Sequence, residues 1–564
     1  MVQFERKVLW RWHHRHHVNV GENWQRLRPR RAITPAYSMP ADPALKAWLS
    51  GFRRCIVGAA ATASSKARAC RSWSNVTPLV RFALSLMRTR RWCFAQFDKE
   101  DGVCLVSHDV WEQLHLQTLS SADYCDVDDP DMEVARMRSE YIRLAQRIGK
   151  HLKDDTLSSA LKRSVFSAGA SHAAVLKLLI KSHKVPVGLR NLHCASFSAF
   201  ESLSSWVVMI LDESLRQKRH LLTSSIDFVN RIRGAELGAE KTMIRVDVKH
   251  FFMSGTAQQL ADFASRIVGN LQLRGLVYAA IHWLCSSQYI EWQSTVKRVI
   301  VGSGMGLKHS SAVADAAWFS LADKMLLQPG LARRFGFEHF CRFRDDVFLI
   351  ANKGGVELWL NWLRRRVGCI FDFEVVEMSV HQVNMLAVQV YVNNGKIHTR
   401  PAEKPLAAPL DPQSAHNQCV HSAWPRTVMR GLADLCTNQR DVDKALKRFI
   451  RRFELSFFPS DYTDSLRNLA RDIAGNHVRL VQRAPLTLSP ISTQWLVVGF
   501  HPALRVHLSR AVHAWQKNAA WNAAWQQAWE HQAPSVRIAW RTVLPSFLTY
   551  VHRHSRADGR GCGG

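Results

Sequence analysis

Apolar and polar positions alternate and regroup along the chain in a way that marks out a central block of strands and helices. Met243 to Phe252 is a β-prone segment that delivers an acid, Asp247, near its end and then two aromatics. A glycine-rich loop, Gly302-Ser303-Gly304-Met305-Gly306-Leu307-Lys308-His309-Ser310-Ser311, runs into Ala312–Leu327, where the apolar spacing is helical and a Ser is the N-cap candidate. Then His339-Phe340-Cys341-Arg342-Phe343 and Val347-Phe348-Leu349-Ile350-Ala351 read as the arms of a β-hairpin, with Asp345 and Asp346 at its tight turn. By itself such a pair is also what a solvated turn looks like.

The flanks read as follows. Acidic residues 123–133 precede a helix running to about Lys153; the spacing lacks the central Gly and terminal Glu of a calcium loop, and acids at a helix N-terminus suffice. Leu176 to Lys184, a turn at Val185-Pro186-Val187-Gly188, and Leu189-Arg190 make a basic hairpin. Trp359–Val367 is helical, and Asn384–Tyr391 followed by Asn393-Asn394-Gly395 predicts a hairpin with an Asn-Gly turn. A helix over Asp441–Phe457 puts Val442, Leu446, Phe449, Ile450 and Phe453 on one side and Lys444, Lys447, Arg448, Arg451 and Arg452 on the other. A further helical segment reaches to about Gln532 with Trp521, Trp525 and Trp529 in a stripe that suits a core.

Charge changes this picture. A chain of 564 residues calls for two to four domains, and its net charge of +30 with pI near 10.1 points to a polyanion, nucleic acid first and a membrane surface second. No run of 18 apolar residues occurs, so no spanning helix is expected. The 12 cysteines form no Cys-x-x-Cys pair, which argues against structural zinc and for a reducing compartment; no signal-peptide core is present. Residues 1–100 hold 19 Lys and Arg against 5 Asp and Glu. Tryptophans 10, 12, 24, 73 and 92 lie among them, suited either to stacking on bases or to anchoring small helices. The run Trp12-His13-His14-Arg15-His16-His17 reads as part of a basic arm.

The order of strand with acid, glycine loop with helix, and acid-acid hairpin resembles the palm of a reverse transcriptase. Asp247 matches the first palm motif, Gly306 and Ser310 the second, and Phe343-Arg344-Asp345-Asp346 the third. Lys-x-His-Lys with a following Arg, then Lys404-Pro405, Ser414-Ala415-His416, Trp424-Pro425-Arg426, Arg430 and Phe458-Pro459, are similar to Penelope-like reverse transcriptases, relatives of telomerase. The resemblance covers roughly residues 130–555. It implies two Mg²⁺ ions, with Mn²⁺ as an alternative, held by Asp247, Asp345 and Asp346, with Val248 in the metal set. Such ions take oxygen ligands, and three gathered carboxylates would repel without them.

By the same resemblance Lys181, Lys184, Arg190, Phe252 and Gly306 face a deoxynucleoside triphosphate, Phe252 excluding a ribose 2′-hydroxyl. Gly304, Ser310, Lys404, Lys447 and Arg451 face template or primer. The basic side of the helix over 441–457 suits a duplex backbone and a solvated surface equally. The glycine loop departs from the family's Gly-Ser-Pro form, and no Gly-Ile-Tyr or Tyr-Ile-Gly tripeptide occurs, so a GIY-YIG endonuclease is not expected.

The expectation is an α+β right-hand polymerase: a basic α-rich N-terminal region (1–130), fingers (131–240), palm (241–400), and an α-helical thumb with C-terminal extension (401–564). The function expected is RNA-directed DNA synthesis, in the nucleus or otherwise the cytoplasm, on an RNA template and DNA primer. The alternatives are an inactive nucleic-acid-binding protein of the same shape and an RNA-directed RNA polymerase.

Overall fold

A computed structural model describes residues 92–98, 103–166, 171–181, 187–195, 198–293, 295–403, 418–456 and 458–481, with short pieces among 43–57, at 409 and among 493–541. The N-terminal basic clusters up to Arg91 (Arg54 aside), Lys184, Lys404, Ser414, His416 and the stripe of Trp521, Trp525 and Trp529 lie outside the described residues.

In chain order the first strands are β1 (Trp92–Phe97), β2 (Val103–Ser107), β3 (Tyr124–Asp126), β4 (Ala174–Lys181) and β5 (Gly188–Cys194). Then follow β6 (Lys241–Lys249), β7 (Tyr289–Trp292), β8 (Thr295–Val299), β9 (Phe337–Phe343), β10 (Asp346–Asn352) and β11 (Asp372–Ser379). A small sheet is made of β12 (Gln382–Met385), β13 (Val388–Asn393) and β14 (Lys396–Pro401). Two further strands, β15 (Thr493–Gly499) and β16 (Ser535–Arg541), pair in parallel, a pairing the sequence pattern does not predict.

The chain has an α+β, right-hand polymerase fold, and its palm is the antiparallel sheet β11-β6-β10-β9. Side chains alternate across a strand, so β6 and β10 each have two faces. Ile244, Val246, Val248, Val347, Leu349 and Ala351 enter the main core, which includes the helices Ala257–Ser265, Leu271–Ser286, Ser310–Trp318 and Lys353–Val367. On the opposite face Met243, Phe348 and Ile350 are covered by the helix Ser225–Ile232 and the small sheet. Arg245, Asp247, Lys249 and Asp346 share that second face by alternation but are only half-buried.

The fingers hairpin β4–β5 has the expected strands, and β4 is a centre strand of the larger sheet β2-β1-β4-β7-β8-β3. This corrects the expected boundary at residue 130. Strands β1 and β3, from the supposed N-terminal region, pair with β4 and β8, so 92–126 belongs to the fingers sheet and is not an α-rich unit of its own. The expected strand Asn384–Tyr391 is likewise two strands, broken at Leu386, whose φ of 56° makes a turn. The Asn394-Gly395 turn is present, both residues at positive φ.

Three helices, Gln418–Asp434, Gln439–Leu455 and Ser460–Val481, make the thumb bundle. The middle one buries Val442, Leu446, Phe449, Ile450 and Phe453 and exposes Lys444, Lys447, Arg448 and Arg451, while Arg452 is half-buried. It docks on the small sheet where the Tyr391 hydroxyl donates to the buried Asp441 carboxylate at 2.5 Å.

The helix after the glycine loop differs from expectation in two ways. Its N-cap is His309, with no side-chain cap, and it carries a π-turn, Phe319–Asp323, before Lys324–Leu326. Both Asp315 and Asp323 are buried against the β9–β10 hairpin, where they hold Arg342, itself fully buried. Its Nη1 donates to Asp315 Oδ1 at 2.6 Å and to the carbonyl of Arg344 at 2.9 Å, and its Nε donates to Asp323 Oδ2 at 2.9 Å. His220 Nε2 lies 2.8 Å from that same Asp323 oxygen. Burial alone would raise the Asp323 carboxyl; the charges of Arg342 and His220 outweigh it and hold the group below its usual range.

Removing Arg342 takes the shared, fully buried cation from two buried carboxylates, leaving Asp315 with Arg344 and Asp323 with His220. Arg342→Met is therefore expected to destabilise the protein by about 3–5 kcal/mol, and Arg342→Lys, which keeps a charge but not the fork, by less. Urea unfolding of the full chain measures both; equal midpoints for wild type and Arg342→Met would contradict this.

Candidate active site

Register decides which acids meet. In the β6–β10 ladder Asp346 lies directly opposite Asp247, so both side chains leave the same face of the sheet. Between β9 and β10 the chain turns on Arg344 and Asp345, Arg344 adopting a left-handed φ of 56°. The backbone N–H of Val248 donates to the Asp345 carbonyl at 3.0 Å, tying the turn to the strand end beside Asp247. The three acids are thus brought to one end of two paired strands. Val248 points its side chain into the core, so only its backbone could serve a ligand.

The electrostatics follow from that crowding. Burial, then the charges of Asp346 and Asp247, push the Asp345 carboxyl up to about 6; its own backbone N–H and the nearby Arg190 pull the other way. Arg190 also forms a charge pair with Asp98 of the β1 end at 3.1 Å, without hydrogen-bond alignment; the Asp98 side chain is nearly fully buried. Arg344 is ion-paired to Asp315, and its charge is felt by Asp212 on the helix Glu201–Arg216.

These residues suit a hard divalent cation in kind: carboxylate oxygens with an excess of negative charge. Among the described residues, however, no three acidic, His or Cys side chains converge closely enough to hold an ion. Asp346 is part of the reason. Its Oδ1 accepts from Arg245 Nε at 3.0 Å and lies 2.9 Å from Arg245 Nη2. Asp247 and Asp345 fit the ion; Asp346 fits it only if Arg245 lets go.

The glycine loop is built on left-handed backbone. Gly302, Gly304 and Gly306 have φ of 73°, 62° and 108°, which explains the residue type. A Cβ on Gly302 would strike the backbone of Phe252 and Met253, and one on Gly304 the His193 ring. At Gly302 and Gly304 the space a side chain would fill is thus taken by the protein's own chain, while Gly306 is exposed. The expectation for Ser310 is corrected: the residue is buried, and its hydroxyl lies against the carbonyls of Ser303 and, at 2.5 Å, Gly304. It pins the loop and does not face a strand of nucleic acid.

Phe252 follows the strand as expected, half-buried, its ring edge-to-face with Phe251 at 5.4 Å. Its carbonyl accepts from the Ser303 N–H at 2.7 Å, which joins this segment to the glycine loop. Lys181 ends β4 opposite Gly188, and Lys447 and Arg451 are exposed on the thumb helix. Sequence reasoning gave no role to Arg245, Asp98, Arg342, Asp315 or His193. Arg245 had a usable signal, standing two positions before Asp247 and hence on its face of the strand.

No known family model matches the chain, and no curated protein matches its sequence. Among solved structures it is similar to telomerase from Candida albicans with a TWJ fragment of telomeric RNA, at 9% identity over 79% of this chain and 75% of that one, TM-score 0.47. It is also similar to apo telomerase from Candida tropicalis, at 12% identity over 70% and 71% of the two chains, TM-score 0.40. A third is the RNA-dependent RNA polymerase of a human picobirnavirus, at 10% identity over 72% and 86%, TM-score 0.38. No helix among the described residues is long and apolar enough to cross a membrane.

The raised Asp345 pKa has a sign that can be checked. A carboxyl that holds its proton more tightly when folded stabilises the fold below its unfolded pKa near 3.8, and that contribution disappears as pH rises through about 6. In EDTA, Asp345→Asn is therefore expected to gain about 2 kcal/mol relative to wild type between pH 4 and pH 7.5. Urea unfolding at the two pH values reads the difference; a gap that does not change with pH would refute it.

Proposed function

We propose that this chain is an RNA-directed DNA polymerase of the Penelope-like kind, extending a DNA primer on an RNA template with deoxynucleoside triphosphates. What carries the reading is the pairing of Asp346 with Asp247 in register while Val248 fixes Asp345 beside them. Three carboxylates crowded at a strand end, with one driven to hold its proton, make an arrangement that a cation would relieve.

Asp247 and Asp345 would hold two Mg²⁺ ions, with Mn²⁺ as an alternative. When bound they supply activation of the primer 3′-hydroxyl and neutralisation of the triphosphate. Arg190, close enough to Asp345 to feel its charge, offers a planar fork to phosphate oxygens, with Lys181 on the partner strand. Phe252, half-buried after β6, is the residue we assign to excluding a 2′-hydroxyl. Lys447 and Arg451, exposed on one side of an otherwise core-facing helix, are assigned to the backbone of the template–primer duplex. A polyanion partner accords with the net charge of +30, and the nucleus is the compartment such an activity implies.

The test is extension of a primed RNA template by the full chain, with deoxy- or ribonucleotides. Asp247→Asn and Asp345→Ala are each expected to lower the rate by ~10²-fold or more, EDTA to abolish it, and added Mg²⁺ to restore it. Phe252→Ala is expected to admit ribonucleotides. Equal silence of wild type and Asp345→Ala, with template–primer still bound, would make the protein a binding module; preference of the wild type for ribonucleotides would make it an RNA polymerase.

A further inference from the structure

The arginine on the catalytic face has two carboxylates to choose from. Arg245 stands on β6 two residues before Asp247, with Asp346 on one side and Glu377 on the other. It now favours Asp346, with Nε and Nη2 at 3.0 and 2.9 Å from one oxygen, while its Nη1 is 3.6 Å from Glu377 Oε1.

Glu377 does not reach that position by regular pairing. From Asp247↔Glu374 and Val246↔Val375 the register jumps to Arg245↔Glu377, so Val376 is the extra residue of a β-bulge. Without the bulge Val376 would face Arg245. Bulges are a means of re-aiming a side chain, and this one puts a carboxylate beside the guanidinium. Glu377 is held in turn: its Oε2 accepts from the Asn384 backbone N–H at 2.7 Å and from Asn384 Nδ2 at 3.2 Å. A second acceptor for Arg245 is therefore fixed in place by the small sheet.

We propose that Arg245 is an internal stand-in cation. Without a divalent ion it neutralises Asp346; when an ion is bound, it transfers to Glu377 and frees Asp346 for the ion. Arg245 and Glu377 are thus positioning residues. The proposal rests on the metal reading above, and it accounts for the absence of a converged set of three donors among the described residues. A guanidinium cannot lose its charge by deprotonation, so leaving Asp346 requires another anion to receive it. Glu377 is that anion.

The two variants should move metal affinity in opposite directions, which a loss of folding would not do. Arg245→Lys separates the switch from a plain charge effect, which would leave that variant at the wild-type value. Mn²⁺ binding to the full chain without nucleic acid, followed by electron paramagnetic resonance of the free ion, reads it directly. Arg245→Gln removes the competitor and is expected to tighten binding roughly three- to tenfold, the size of one unit charge at partly exposed contact distance. Glu377→Gln removes the alternative acceptor and is expected to weaken binding by a similar factor. Arg245→Lys, which keeps the charge and the strand but loses the fork, should fall between Arg245→Gln and wild type. Weaker or unchanged binding in Arg245→Gln, or no loss in Glu377→Gln, overturns the proposal. If wild type itself binds no Mn²⁺ that Asp345→Asn removes, the metal reading falls and this inference with it; if wild type binds and only the Arg245 and Glu377 shifts fail, this inference falls alone.

Discussion

Arg342, stripped of water beneath the Arg344–Asp345 turn, is the contact on which the geometry of the candidate site rests. A guanidinium with no exposure is costly unless its donors are matched, and here Asp315, Asp323 and the carbonyl of Arg344 match them. That carbonyl belongs to the turn itself. Arg342 therefore fixes the turn from below while the Val248 N–H holds the Asp345 carbonyl from the side. With both carbonyls of the turn engaged, Asp345 is held beside Asp247, and burial first, then the charges of Asp346 and Asp247, raise its pKa. The buried charges specify a conformation here, whatever they add to net stability.

This clamp shows why some of the fold was legible in the sequence and some was not. Strand-length apolar runs around Asp247 and around Asp345-Asp346 identify β6, β9 and β10, because β-prone runs broken by turn residues leave few other readings. The order of the motifs then made their convergence an expectation, and the register sets Asp346 opposite Asp247. Nothing local says that Arg342, adjoining the motif, points away from solvent into a pair of helical acids. That depends on a π-turn, whose extra residue per turn has no sequence signature in Phe319–Asp323.

Glycines mislead in a related way. Their positive φ values are readable as a need for absent side chains, yet which atoms fill the space is a long-range fact. For Gly304 it is the ring of His193 from the fingers hairpin, and for Gly302 the backbone just after β6. The loop is thus a junction between the fingers sheet and the palm strand, with the Ser310 hydroxyl against its carbonyls. A boundary drawn at residue 130 failed for the same reason: short strands such as Tyr124–Asp126 are defined by their partner, β8, and hardly by their own residues.

Charge in this protein is arranged on two scales. Over the whole chain the excess is strongly positive, which draws a polyanion from a distance. At the end of β6 the local balance is reversed, with Asp247, Asp345 and Asp346 gathered and Asp372 and Glu374 paired to Lys249 one strand over. The site avoids being a bare anion by keeping arginines at its rim: Arg190 near Asp345, Arg344 against Asp315, Arg245 on Asp346. Each of these is also held by, or close to, a second acid, namely Asp98, Asp212 or Glu377. A cation shared between two acids can shift its weight from one to the other at small cost, because neither position leaves it unpaired. A site with that property can exchange its ion pairs without ever exposing an uncompensated buried charge.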